Sequence, residues 1–183
     1  MRILQTSRKR KYSETEQLLI RHGLEIVILD GSEILSVLVY SVFKGCFVSS
    51  LVYVFFFSWL RKHSGGWHCP TKGSCFMMYW LMYLFFCRLM CIQLDLPVHF
   101  LLVLSVLYIA VSAPVQHRMS PMSAEEFTYN RHCSWIVLSA GTLLYILSAE
   151  MRMPVLFAFL YNALLCFILK HSKNYLPEVC QWE

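Results

Sequence analysis

RKHSGGWHCPTKGSC, residues 61–75, separates two apolar stretches and holds most of the reactive side chains grouped in this chain. Upstream of it, residues 34–60 are apolar apart from an interruption at Lys44 and Gly45. Downstream, residues 76–92 are apolar with one charge at Arg88. Segments of this kind are long enough, or nearly so, to cross a hydrocarbon core of about 30 Å as helices. A polar segment between two of them is then a loop at a membrane surface, and this reading decides the fold class.

Working outward, three further runs at 98–113, 134–149 and 155–169 have the same character. The 183 residues are 57% apolar and only 15% charged, a balance that a soluble domain of this length does not need. The expected fold is an all-α integral membrane protein with about six hydrophobic helical segments and an N-terminal amphipathic helix. Residues 1–183 are read as a single polytopic membrane domain. Within it, residues 1–23 form a cytoplasmic amphipathic segment and 61–75 the chemically active loop.

The N-terminal helix is signalled by Ser13 and Glu16 at capping-box spacing. Leu19, Ile20, Leu24, Val27 and Ile28 then recur at helical spacing. A hairpin at Lys44 and Gly45 is preferred to one long span over 34–60, because it returns the chain to the side it came from. With that hairpin, thirteen of the sixteen Lys and Arg fall on one side, which the positive-inside rule makes cytoplasmic. Both termini and the 61–75 loop lie on that side. The first arm of the hairpin is shortened by Asp30 and Glu33. The formal charge of +5 is spread through the gaps between apolar runs, so no nucleic-acid partner is expected. Of the eight cysteines, Cys46, Cys87, Cys91 and Cys166 sit in apolar helices as small hydrophobes. The others lie beside loops on the reducing side, where structural disulfides are rare.

Within 61–75 the chemistry concentrates on His68 and Cys75. A thiol is mostly protonated at neutral pH and becomes a nucleophile when an imidazole takes its proton. Gly65 and Gly66 permit an unusual backbone path, and the turn residues of CPTKGS let His68 fold back over Cys75. Cys75 is expected just ahead of the helix over 76–92, where the positive end of the helix dipole favours a thiolate. Arg61 and Lys72 are candidates for gripping an anionic substrate or fixing the loop; Lys62 is read as an interfacial anchor.

Other readings stand beside this one. The loop's His and Cys could simply meet lipid headgroups and water. His63, His68, Cys69 and Cys75 are four metal-ligand types, but their spacing matches no compact zinc pattern, so neither metal nor cofactor is expected. Arg88 either snorkels to the interface or pairs with Asp95. Glu125 and Glu126 read as part of a solvated loop over 114–133, and the Met and aromatic side chains of 76–90 as lipid-facing or packing surface.

The pattern of Arg61, Gly65, Gly66, Trp67, His68 and Cys75 just after an apolar segment resembles the signature of the accessory gene regulator B family (AgrB). These are membrane peptidases of Gram-positive bacteria that mature cyclic autoinducer peptides. The RHGLE of residues 21–25, and Ala113, Pro114 and Val115 followed by a polar loop, are similar to further family features. Position 69 departs from the pattern, with Cys where a small residue is usual. The resemblance implies a cysteine endopeptidase acting on a short propeptide of the AgrD type, with His68 and Cys75 catalytic. It implies a thioester acyl-enzyme, resolved by the substrate's own Cys or Ser into a thiolactone or lactone ring used in quorum sensing. The expected partners are that propeptide, the lipid bilayer and a second copy in a homodimer. The alternatives are a non-enzymatic small membrane transporter or assembly protein with a structural His/Cys loop, and a thiol redox protein using Cys69 and Cys75.

Overall fold

The computed structural model describes residues 14–66, 71–90, 98–118 and 121–176. Six α-helices occur among them: α1 (Glu14–Phe43), α2 (Phe47–Ser64), α3 (Lys72–Met90), α4 (Val98–Ser112), α5 (Ala124–Leu147) and α6 (Arg152–Lys170). Two-residue strands β1 (Gln116–His117) and β2 (Tyr175–Leu176) pair antiparallel and tie the segment after α4 to the segment after α6.

α1 runs without a break from the amphipathic N-terminal stretch into the first apolar arm. It then stops where Lys44 and Gly45 announce a turn. The Gly45 amide donates to the Val42 carbonyl and the Cys46 amide reaches back to the Ser41 carbonyl, both at 3.1 Å. Gly45 adopts φ 68°. Those two bonds and a left-handed glycine make a Schellman stop, which satisfies carbonyls that the ending helix would leave orphaned. The hairpin expected at this point is therefore present, and no helix runs continuously through 34–60.

α6 is the central element. Two-thirds (67%) of its apolar window is buried inside the bundle, against 17% for α3. It packs chiefly against α2 and α4, and α2 in turn meets α5 and α1. The shared core is aromatic: the Tyr53 ring of α2 stacks on Phe86 of α3 at 4.5 Å, and Phe159 of α6 meets Phe56 edge-on. Polar side chains cross between helices at intervals. Ser50 and Tyr83 Oη lie 2.8 Å apart, Trp80 Nε1 donates to Ser36 Oγ, and Asn162 Nδ2 donates to the Phe57 carbonyl at 3.2 Å. In an apolar surround each such bond contributes about 0.6 kcal/mol, and together they fix helix register.

The outward faces stay apolar. Leu104, Leu107 and Val111 on α4 and Leu143, Ile146 and Leu147 on α5 are all exposed. Among the described residues, two helical stretches, Gly73–Met90 and Ala149–Lys170, are long and apolar enough to cross a bilayer, and His99–Ser112 is a shorter apolar helix.

Two helix starts differ from the sequence-based expectation. α5 begins at Ala124, ten residues before the apolar run at 134, because Ser123 and Glu126 form a reciprocal capping box and 124–133 holds neither Gly nor Pro. Glu126 is thus a helix cap and not a loop residue. α3 begins at Lys72, so Cys75 lies inside its first turn and not ahead of it.

Candidate functional site

The 61–75 stretch divides between two helices. Arg61, Lys62, His63 and Ser64 complete the last turn of α2, Gly65 and Gly66 leave it, and Thr71 opens α3. Trp67, His68, Cys69 and Pro70 lie outside the described residues, as do Asp95 and the Lys72 side chain, so the expectations placed on them are not matched to geometry.

Thr71 builds the ledge that carries Cys75. The Ser74 amide donates to Thr71 Oγ1 at 3.2 Å and the Thr71 amide donates to Ser74 Oγ at 3.3 Å. The Cys75 amide closes the first helical bond on the Thr71 carbonyl at 3.1 Å. Cys75 is half-buried and sits in the first turn of α3, at the positive end of the helix dipole.

The glycines take a path that side chains do not allow. Gly65 has φ 71° and ψ −157°, and a Cβ there would collide with the Val115 carbonyl. Gly66 has φ 138° and would bring a Cβ to 3.3 Å from that of Leu165. The close approach is used: the Val115 amide donates to the Ser64 carbonyl at 2.8 Å, and Gly65 bridges to Val115 in parallel. Cys166 of α6 turns its thiol to the Ser64 and Gly65 carbonyls, 3.8 Å from each. The exit from α2 is thereby pinned against both the post-α4 segment and α6.

A cavity of about 630 Å³ opens beside this corner. Cys75 lines it from α3, Arg61 and the two glycines from the end of α2, Asp30 and Glu33 from α1, and His117 from β1. The structure therefore gathers Arg61, Gly65, Gly66 and Cys75, four of the residues singled out in the sequence, around one space. The Arg61 guanidinium also lies over the Phe57 ring at 6.0 Å. His63, by contrast, is buried away from it, with Nδ1 2.9 Å from Asn130 Oδ1 of α5. No grouping of three or more His, Cys, Asp or Glu suited to a metal occurs among the described residues.

Three cavity residues were not recognised as site residues in the sequence. Asp30 and Glu33 were read only as polar positions that shorten the first arm, although their i, i+3 spacing puts them on one helix face. His117 lay in a segment read as plain loop; its neighbours gave no period to follow, and the β1–β2 pairing with Tyr175 that fixes it is too short to be read locally. Glu33 sits one residue before the apolar arm begins. Burial pushes its carboxyl up to about 7, Asp30 adds to the rise, and Arg61 opposes it.

A helical bundle with two helices apolar and long enough to cross a bilayer, and with a thiol at a helix start on the wall of a cavity, is the class of protein that these features define. The chain belongs to the accessory gene regulator B family (AgrB), whose family model matches residues 2–171. That family is membrane-associated and takes part in autoinducer peptide processing, with an AgrD-type propeptide as partner. No curated protein and no solved structure matches the chain.

Proposed function

We propose that this protein is a membrane-embedded cysteine endopeptidase that cleaves an AgrD-like propeptide through a thioester on Cys75. The observation that carries the reading is the position of Cys75: a half-buried thiol in the first turn of α3, opening on a cavity shared with Arg61 and the Gly65–Gly66 corner. A nucleophile needs an activated sulfur, a space for the substrate carbonyl beside it, and shelter from water. The cavity supports the last two and the helix start supports the first.

In this mechanism His68 takes the Cys75 proton and the thiolate attacks a backbone carbonyl of the propeptide. The sulfur–carbon bond forms, the scissile carbon–nitrogen bond breaks, and His68 returns the proton to the departing amine. The acyl group left on Cys75 is then attacked by a Cys or Ser inside the same substrate fragment, which closes a ring and frees the Cys75 thiolate. Exchange of one thioester for another needs proximity and exclusion of water more than driving force. Arg61, Lys62 and Lys72 supply positive charge at the α2–α3 junction for an acidic part of the propeptide.

Six helical segments enter the bilayer in alternation, α1 only by the short arm after Glu33, with both termini and the catalytic segment cytoplasmic. The apolar outer faces of α4 and α5 support this arrangement, since contiguous apolar surface of that extent calls for a hydrocarbon solvent. Co-expression with a candidate propeptide, having an amphipathic segment, a central Cys or Ser and an acidic tail, tests the activity. Mass spectrometry is expected to find the truncated product with the wild-type protein and none with Cys75→Ala inserted at normal levels. Cleavage retained by Cys75→Ala contradicts the assignment.

A further inference from the structure

The α1 wall of the cavity carries a carboxyl group without a counter-charge seated on it. Glu33 is only 9% exposed, yet no hydrogen bond or ion pair to its carboxyl group occurs among the described residues. Glu33 lines the same space as Cys75. Asp30, one turn earlier on the same face, joins the same wall.

The cations nearby do not neutralise this pair. A guanidinium seated on Glu33 would hold its carboxyl below the usual range. Arg61 instead exerts the weakest of the three influences on it, behind burial and Asp30, and the group rises to about 7. Among the described residues, the other titratable groups around the cavity are Lys62 on α2, Cys75 and Tyr79 on α3, and His117 on β1, while α6 contributes Leu165. A buried carboxylate beside an open space, with no ion-pair partner, is half of a charge-pair site.

We propose that Asp30 and Glu33 form a subsite for a cationic side chain, lysine or arginine, of the peptide whose carbonyl Cys75 attacks. This rests on the reading of Cys75 as the nucleophile. The rest of the wall suits such a group: Val27, Ile34, Met78 and Met82 offer apolar surface for the alkyl stem while the charged head meets the carboxylates. A divalent metal fits less well, because two carboxylates lack the third ligand that would complete a metal set among the described residues. A bound cation also favours the ionised form of Glu33, so occupancy of the subsite and ionisation reinforce each other.

The test needs no identified substrate. The full-length protein in lipid nanodiscs is treated with cationic 2-(trimethylammonio)ethyl methanethiosulfonate or anionic 2-sulfonatoethyl methanethiosulfonate. Modification of Cys75 is followed by peptide mass mapping, and each rate is divided by that of a free small thiol. The cationic reagent is expected to be favoured at Cys75, and Glu33→Gln and Asp30→Asn each to lower the cation-to-anion ratio by on the order of threefold to tenfold. In the wild type the ratio is expected to fall as pH is lowered through about 7, and in Glu33→Gln to fall less steeply, the residual slope being that of the histidines around Cys75. Unchanged ratios in both variants, with thermal midpoints like wild type, overturn the subsite. The two readings fail separately. A flat ratio while Cys75→Ala abolishes propeptide cleavage removes the subsite alone, whereas cleavage by Cys75→Ala removes the nucleophile and with it the peptide role given to the subsite.

Discussion

Gly65 is the residue on which the geometry of the corner turns. Its φ of 71° and ψ of −157° fall in a region that side chains rarely enter, and the Val115 carbonyl occupies the place where a Cβ would go. Strain of this kind costs on the order of 1–3 kcal/mol, before the displacement of Val115 is added. Gly65→Ala is therefore expected to lower thermal stability in detergent by about that much. It is also expected to loosen the Ser64–Val115 contact that pins the end of α2, so propeptide cleavage should fall by more than the stability loss explains. A variant with wild-type midpoint and wild-type cleavage would show that the glycine corner is not needed. The pairing of Gly65 with Gly66 was readable in the sequence as a request for unusual backbone; the partner that makes the request necessary, Val115, lies fifty residues away and left no local trace.

Among the elements, the starts of α3 and α5 show how short polar signals position long helices. Ser123 accepts from the Glu126 amide at 3.2 Å, and the Ser123 amide donates to Glu126 Oε2 at 2.9 Å. Accepting that bond holds the Glu126 carboxyl below the usual carboxylate range. A carboxyl lowered by folding contributes stability that is present above its unfolded value and is lost as pH falls through its folded value. The start of α5 is thus expected to weaken on acidification below the usual carboxylate range, and Glu126→Gln to flatten that response. Ser123→Ala is expected to cost about 1 kcal/mol at neutral pH. Hydrogen exchange of the 124–128 amides measures both effects, and protection unchanged by either substitution would contradict the cap. The polar residues 124–133 read as loop because hydropathy marks only the apolar part of a helix. The same bias placed Cys75 outside α3, since the helix is started by Thr71, Lys72, Gly73 and Ser74 and not by the apolar residues that follow. The α1–α2 hairpin was legible for the opposite reason: a charge and a glycine interrupt an otherwise continuous apolar run.

At the scale of the whole molecule, a two-thirds-buried α6 holds α2 and α4, and α2 carries the corner to which the Cys75 cavity is attached. The helical class and the grouping of Arg61, Gly65, Gly66 and Cys75 followed from runs and spacings along the chain. The acidic wall and His117 did not, because they reach the site through packing between elements far apart in sequence. The central claim is that a carbonyl of the propeptide becomes bonded to the sulfur of Cys75. A propeptide whose internal Cys or Ser is replaced by Ala cannot close the ring, so the acyl group is held longer on the protein. Incubated with the full-length protein in nanodiscs and digested, it is expected to leave its N-terminal fragment attached to the Cys75 peptide through a bond that neutral hydroxylamine cleaves. An adduct on Cys69 or any other cysteine, or cleavage of the propeptide with Cys75 never acylated, would contradict the account.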